Sequence, residues 1–422
     1  MRPLPDRDPH LGHLTMPSVP RRAHVFSRGL WEMQISVPYP KAIRCGEMVF
    51  TCGQCDLDEH GRPLRPGDLR AQTDQTMAYA YQVLAEAGAG PADLVRLQVF
   101  YANDGDVDED SYRRHIAAIV RASGSRDAVI VMSPLPHFYY PGMAVEIDAV
   151  AMVGAAPHNA ISPPSWIDTP LTEALRAGEM IFITAEPRDA SGAVLHPGQI
   201  ERQTHAVIDS IESSLAAFGA DKGDLVKLSF AFEGGEAVWH ALAAARASRF
   251  PEPGPVVTDL SLQNLAPAGT SVKVEAVAMR GLDDRRLPKD HLYPDAHWRW
   301  PLAQPFSQAI RCHDKVFIGA QLPLDRHGRA AAPGDVESQT KSAMGSLGTL
   351  LDRFGLGFEH VVKANTFYVG GPNPDDLHRN MVVRNRYYAR PGPASTGVPV
   401  RHLAIPGATV AIEAFAMTDV AV

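Results

Sequence analysis

Long apolar runs are missing from this 422-residue chain. None approaches the roughly 18 residues that a membrane span requires, so no membrane partner is expected. Positive charge is not in excess either: 40 Lys and Arg against 48 Asp and Glu leave a net charge of −8, which argues against a nucleic-acid partner held by phosphate neutralisation. Cysteine is scarce, with four residues in all, so no disulfide framework is expected and a reducing, cytoplasmic setting is the default. There is no GxGxxG and no P-loop for a nucleotide, and the histidines are scattered without forming a metal set, so neither cofactor nor metal is expected. Residues 1–28, rich in Pro, Arg and His, lack the apolar centre of a secretory signal and are expected to form an extended arm.

What the chain has is repetition. Ala42-Ile43-Arg44-Cys45-Gly46-Glu47-Met48-Val49-Phe50 returns as Ala174-Leu175-Arg176-Ala177-Gly178-Glu179-Met180-Ile181-Phe182. It returns again as Ala309-Ile310-Arg311-Cys312-His313-Asp314-Lys315-Val316-Phe317. The arginines stand 132 and 135 residues apart, a spacing of whole domains rather than solenoid units of roughly 20–50 residues. Each copy continues to a Gln-Thr pair (Gln72-Thr73, Gln203-Thr204, Gln339-Thr340) that opens a helical pattern. A strand follows in each (94–101, 225–232, 361–369), then a second helix (109–121, 236–247, 374–388), then two closing strands. The unit is ββ(β)αβαββ, an α+β arrangement of helices on a sheet. The expected domains are 29–153, 165–280 and 295–422, with breaks at 153–164 and 280–294 read as linkers. Each copy opens on a Trp (Trp31, Trp166, Trp298) followed by a Pro and a bulky residue, Tyr39, Leu171 or Phe306.

Several residues in combination carry a family resemblance. They are Phe306-Ser307-Gln308-Ala309, the second-strand ends Cys52-Gly53-Gln54 and Gly319-Ala320-Gln321, the Gln-Thr helix starts, and Ile412-Glu413-Ala414. Together they resemble the reactive intermediate deaminase (RidA, YjgF-type) family. That resemblance implies three tandem RidA-like (chorismate mutase-like) domains closing into a single-chain pseudo-trimer, with central sheets, outer helices and ligand clefts at the seams. Further homo-oligomerisation is left open. The resemblance also implies hydrolysis of imine or enamine intermediates, with an arginine of a Pro-Ala-Arg motif clamping a substrate carboxylate and a last-strand glutamate activating water. The glutamates read as matching are Glu146, Glu275 and Glu413. The arginine is not clearly present: Ser395 stands in its place in copy three, Val257 in copy two, and Arg126 falls one residue off in copy one. Copy two, with Thr184-Ala185-Glu186 for the Gly-Gln element, is the least family-like.

Each candidate has a bland reading beside the functional one. The three glutamates are either acid/base groups raised in a dry cleft or residues paired with a neighbouring cation. Ser395 and Thr396 either bond a substrate carbonyl or satisfy loop backbone; His402, seven residues on, falls on the opposite strand face from Ser395, so no triad is expected. Cys52 of the Cys52-Gly53-Gln54-Cys55 run is read chiefly as a replaced serine, with a cleft nucleophile as the alternative. Tyr139, in an aromatic loop peculiar to copy one, is either a cleft wall or a lobe contact. The expected substrate-binding set is Ser395, Thr396, Arg126, Tyr139, Tyr39, Phe306, Cys52, Gly53 and Gln321, acting on a small molecule in a specialised biosynthetic or catabolic role. A non-catalytic ligand-binding protein is the second reading. A chorismate-hydrolysing enzyme, using Arg126, Arg401 and Arg311 to hold two carboxylates, is the third.

Overall fold

The computed structural model describes residues 21–27, 29–125, 127–162, 171–293, 300, 302 and 304–418. Arg126, Trp166 and Trp298 lie outside them, as does most of the expected N-terminal arm.

Lobe 1 runs β1 (Arg22–Val25), β2 (Ala42–Cys45), β3 (Met48–Thr51), α1 (Leu69–Glu86), β4 (Leu94–Ala102), α2 (Glu109–Ala122), β5 (Val129–Leu135) and β6 (Val145–Met152). Lobe 2 repeats it: β7 (His158–Ile161), β8 (Ala174–Ala177), β9 (Met180–Ala185), α3 (Ile200–Ala217), β10 (Leu225–Glu233), α4 (Glu236–Ala247), β11 (Gly254–Leu262) and β12 (Val272–Met279). Lobe 3 runs β13 (Lys289–Leu292), β14 (Phe306–Ser307), β15 (Ala309–Cys312), β16 (Lys315–Gln321), α5 (Val336–Arg353), β17 (Val361–Val369), α6 (Asp375–Arg384), β18 (Ala394–Val400) and β19 (Val410–Met417). The strand orders are β1-β2-β3-β6-β4-β5, then β14-β11-β10-β12-β9-β8-β7, then β13-β15-β16-β19-β17-β18. The stretches expected as arm and linkers each contain a short edge strand, β1, β7 or β13, because the backbone edge of the following strand would otherwise be unpaired.

The repeated Gln-Thr pair has a physical task. In each lobe the glutamine amide donates to the carbonyl of a loop glycine (Gly142, Gly269 or Gly407). Its oxygen accepts from the start of the last strand, at Ala144, Ser271 or Thr409. It staples the helix start to the closing hairpin and satisfies buried backbone that water cannot reach. The β2–β3 type hairpin needs a left-handed residue, which is Gly46 and Gly178 in two lobes but His313, at φ 56°, in the third.

The three sheets face a common axis. One apolar cluster there draws only on strand residues and on all three lobes, including Phe50, Phe182 and Phe317. Around it runs a closed ring of ion pairs. Arg96 of lobe 1 pairs with Glu275 of lobe 2. Lys227 of lobe 2 reaches Glu413 of lobe 3 at 2.8 Å, and Lys363 of lobe 3 reaches Asp148 of lobe 1 at 2.9 Å. Each lobe also lays its lead-in segment on the edge strand of the lobe before it. Thr172 bridges Val129, Phe306 and Ser307 pair with β11, and Gly392 N–H donates to Pro38 at 2.8 Å. Three contacts of one kind, each passing to the next lobe and the last returning to the first, make the chain a pseudo-trimer.

Candidate functional site

Strand register decides which carboxylate is equivalent to which. Asn365 pairs with Glu413 and Ser229 with Glu275, and the matching residue of β4, Gln98, pairs with Asp148. Glu146 instead stands opposite Phe100, where lobe 2 has Lys273 opposite Ala231 and lobe 3 has Ala411 opposite Phe367. The sequence-based equation of Glu146 with Glu275 and Glu413 is therefore off by two residues. A two-residue slip keeps side chains on the same face, so periodicity does not reveal it. The same register puts Ile130, not a residue near Arg126, at the place of Ser395, since Leu97 pairs with Ile130 and Ala364 with Ser395.

The consequence is a division of labour. Glu413 accepts from Lys227, from Thr258 at 2.6 Å and from Asn365 at 2.9 Å. Burial pushes its carboxyl up, but Lys227 and these donors outweigh that and hold it below the usual range. Glu275 is taken by Arg96. Thr396 bonds Asp148 at 3.0 Å and accepts from Lys363, so it too belongs to the axial ring rather than to Ser395. The ring was not singled out from sequence, although Arg96, Lys227 and Lys363 occupy the same position of three aligned strands.

Glu146 faces elsewhere, into a cavity of about 470 Å³ between lobes 1 and 3. That volume suits one small molecule. From lobe 1 come Trp31, Tyr39, Lys41, Cys52, Gly53, Tyr139 and Glu146, with residues 32–37 as a strap; lobe 3 adds Leu377, Met381, Arg384, Ser395 and Gly397. Tyr139 donates to Glu146 at 3.1 Å. Burial raises the Glu146 carboxyl to about 8; the Tyr139 bond opposes this, and nearby Asp148 adds to it. Gly53 makes room for it, since a Cβ there would lie 1.7 Å from Glu146 Oε1. Burial also lowers the Lys41 ammonium, which sits 3.4 Å over the Trp31 ring and donates to that residue's carbonyl. The Cys52 thiol is pushed up by burial to about 11, which keeps it protonated and disfavours a nucleophilic role.

The aromatic loop serves as wall and contact together: Tyr139 lines the cavity, while the Tyr140 hydroxyl lies 3.1 Å from His378 on α6. Arg384, which sequence reading passed over, enters from α6 with its Nε–H on Asn380 and its Nη1 on Ser395 at 3.2 Å. The signal was its place one helix before the Pro-Ala-Ser run. Of the remaining expected residues, Phe306 and Gln321 line the seam between lobes 2 and 3, where the space is only about 10 Å³. His402 bonds Ser261 rather than Ser395, Arg401 bonds Gln263, and Arg311 bonds the backbone of His313, so these arginines do not converge. Glu179, His313 and Asp314 approach one another closely enough to share a cation, but Asp314 is already held by Lys315 at 2.8 Å.

Comparison with known proteins follows the same outline. The family model described as Endoribonuclease L-PSP matches residues 32–153 and 299–418, leaving the middle lobe unmatched. Protein DfrA of Myxococcus xanthus is 33% identical over 117 residues, covering 27% of this chain and 86% of its own. A RutC family protein of Pyrococcus abyssi is 30% identical over 99 residues, 24% of this chain and 76% of its own. The 2-iminobutanoate/2-iminopropanoate deaminase of Bos taurus is 31% identical over 114 residues, 27% of this chain and 80% of its own. In solved structures, a chorismatase shares the fold with a TM-score of 0.54 at 14% identity, over 77% of this chain and 93% of that one. No described helix is long and apolar enough to cross a membrane.

Proposed function

Since this chain belongs to the endoribonuclease L-PSP family, which is the RidA or YjgF-type family, we propose that its lobe 1–lobe 3 cavity is the active site of a cofactor-independent enzyme. It hydrolyses or tautomerises a small imine, enamine or related conjugated carbonyl compound. The observation that carries this reading is a carboxyl buried in a ligand-sized cavity, where burial raises it to about 8. A relative that is an imine deaminase supports the reaction class.

Glu146 suits both halves of an imine hydrolysis. Protonated, it gives its proton to the imine nitrogen; as the carboxylate, it takes a proton from the water that adds to the carbon. It passes that proton to the nitrogen of the carbinolamine, then takes the hydroxyl proton as ammonia leaves and the carbonyl forms. The same proton delivered to an enamine carbon, with one nitrogen proton then returned to the carboxylate, gives the imine tautomer. A carboxyl near 8 is close to the operating pH, where such a shuttle works best. Tyr139 positions the group. The cysteines are buried and in no disulfide among the described residues, which fits a reducing compartment, and we infer a cytoplasmic setting.

The test is ammonia release from enamines generated in situ from a panel of amino acids. Turnover above buffer is expected, and Glu146→Gln should lower it about 10²–10⁴-fold, the range for a positioned acid/base group. The same change at Glu413 should leave the chemistry and weaken the axis. No acceleration with any substrate favours a protein that binds its ligand without converting it.

A further inference from the structure

Two of the three seams are filled by charge that has been neutralised; the third holds a buried charge that has not. On α4, Trp239 and Arg246 stand seven residues apart, and both bond Asp259 of β11: the indole N–H at 2.8 Å and the guanidinium through both nitrogens. On α6, Leu377 and Arg384 stand seven apart in the same way and flank Gly397 of β18. Lys227 pairs with Val256 and Lys363 with Ala394, so Asp259 and Gly397 occupy one register position. Lobe 3 has the arginine of lobe 2 without its carboxylate.

Arg384 is 1% exposed, and its partners are the neutral Asn380 and Ser395 with the face of Tyr39 at 5.9 Å. Among the described residues no carboxylate forms an ion pair with it. A buried guanidinium left so is costly, and the cost is relieved by a counter-charge. The space where that charge would sit lines the cavity at Gly397 and Ser395. We propose that Arg384 is the anion-binding group of this cavity and that the ligand carries a carboxylate, which takes the place of the missing aspartate; this rests on the cavity being the site. The planar fork, with one N–H on Ser395 and another on Asn380, presents its remaining donors for a carboxylate. Trp31, Tyr39 and Tyr139 on the walls suit a flat, conjugated body behind it.

Calorimetric titration of the full chain with benzoate and with benzamide, which has the same shape without the charge, tests this. Benzoate is expected to bind, benzamide to bind far more weakly, and added salt to weaken benzoate alone. Arg384→Gln should lower benzoate affinity about 10- to 150-fold, the worth of hydrogen bonds to a charged group. Gly397→Asp restores the lobe 2 pairing from within, since a Cβ there stands 3.5 Å from Arg384 Nη2. It should raise the melting temperature and abolish benzoate binding while Arg384 is still present. Equal binding of the two probes, failure of benzoate to bind the folded wild type near its solubility limit, or unchanged benzoate affinity in either folded variant overturns the proposal. The two readings fail separately. Carboxylate-selective binding lost with Arg384 stands even if no imine is turned over, and turnover that needs Glu146 stands even if the two probes bind alike.

Discussion

The seam between lobes 1 and 3 and the seam between lobes 2 and 3 are built alike and differ in what fills them. Both set a lead-in segment against the edge strand of a neighbour, and both bring in an arginine from the second helix. In the closed seam Asp259 neutralises Arg246, Phe306 stacks on the same guanidinium at 4.8 Å, and Val257 and Ala411 are apolar. In the open seam these places hold Gly397, Tyr39, Ser395 and Glu146. Linking three copies in one chain let the seams diverge without breaking the symmetry that closes the ring. The third seam, between lobes 1 and 2, was closed differently. Lys273 stands where Glu146 does and is tied with Arg113 to Glu109 and Glu186.

The comparison can be broken from either side. The largest effect is expected in the closed seam: Asp259→Ala strands a fully buried guanidinium and an indole N–H, and should cost about 3–5 kcal/mol in a denaturant titration. Adding Arg246→Met should recover most of that loss. In the open seam, Gly53→Ala drives a methyl into Glu146; a cost of about 1–3 kcal/mol is expected, with turnover reduced as the carboxyl is displaced. Stability unchanged in this variant would show that Glu146 does not lie over Gly53.

The most gradual effect, smallest per step of the experiment, concerns pH. Burial raises Glu146 from its ordinary value of 4.5 to about 8, so between those values the folded chain holds a proton that the unfolded chain has released. Its contribution to stability is therefore greatest below about pH 4.5 and falls as pH rises, by up to roughly 1.4 kcal/mol per unit, until about 8. Glu146→Gln should remove that decline, so the variant gains on the wild type as pH rises through the window. Parallel melting curves for the two proteins across it would contradict the raised carboxyl. Turnover that uses the protonated group should decline above about pH 8.

Much of the fold is legible in the sequence. The second helix of lobe 2, expected over 236–247, is α4, and the strand expected over 361–369 is β17. These segments have strong periodicity and clear stops. The register of the last strand was misread because Val145-Glu146-Ile147 and Val274-Glu275-Ala276 look alike. Its closing residues hold the corrective signal, since Ala151-Met152, Ala278-Met279 and Ala416-Met417 align only when Asp148 matches Glu275 and Glu413. Tyr139, Tyr39, Cys52, Gly53 and Ser395 do meet in the cavity. Phe306 and Gln321 meet in the seam that was filled.

The sequence by itself determined three like domains, their element order, and the absence of a nucleotide motif. These follow from local periodicity and repeated residues, which short stretches of chain carry alone. Which carboxylates would be spent on one another and which would face empty space was decided only by the tertiary structure. Glu413 and Glu146 differ in charge state because of what stands across a seam, Lys227 for one and a desolvated cavity for the other. Lys227 lies 186 residues from Glu413, and the cavity over Glu146 is completed by side chains of lobe 3, beyond the reach of any local pattern.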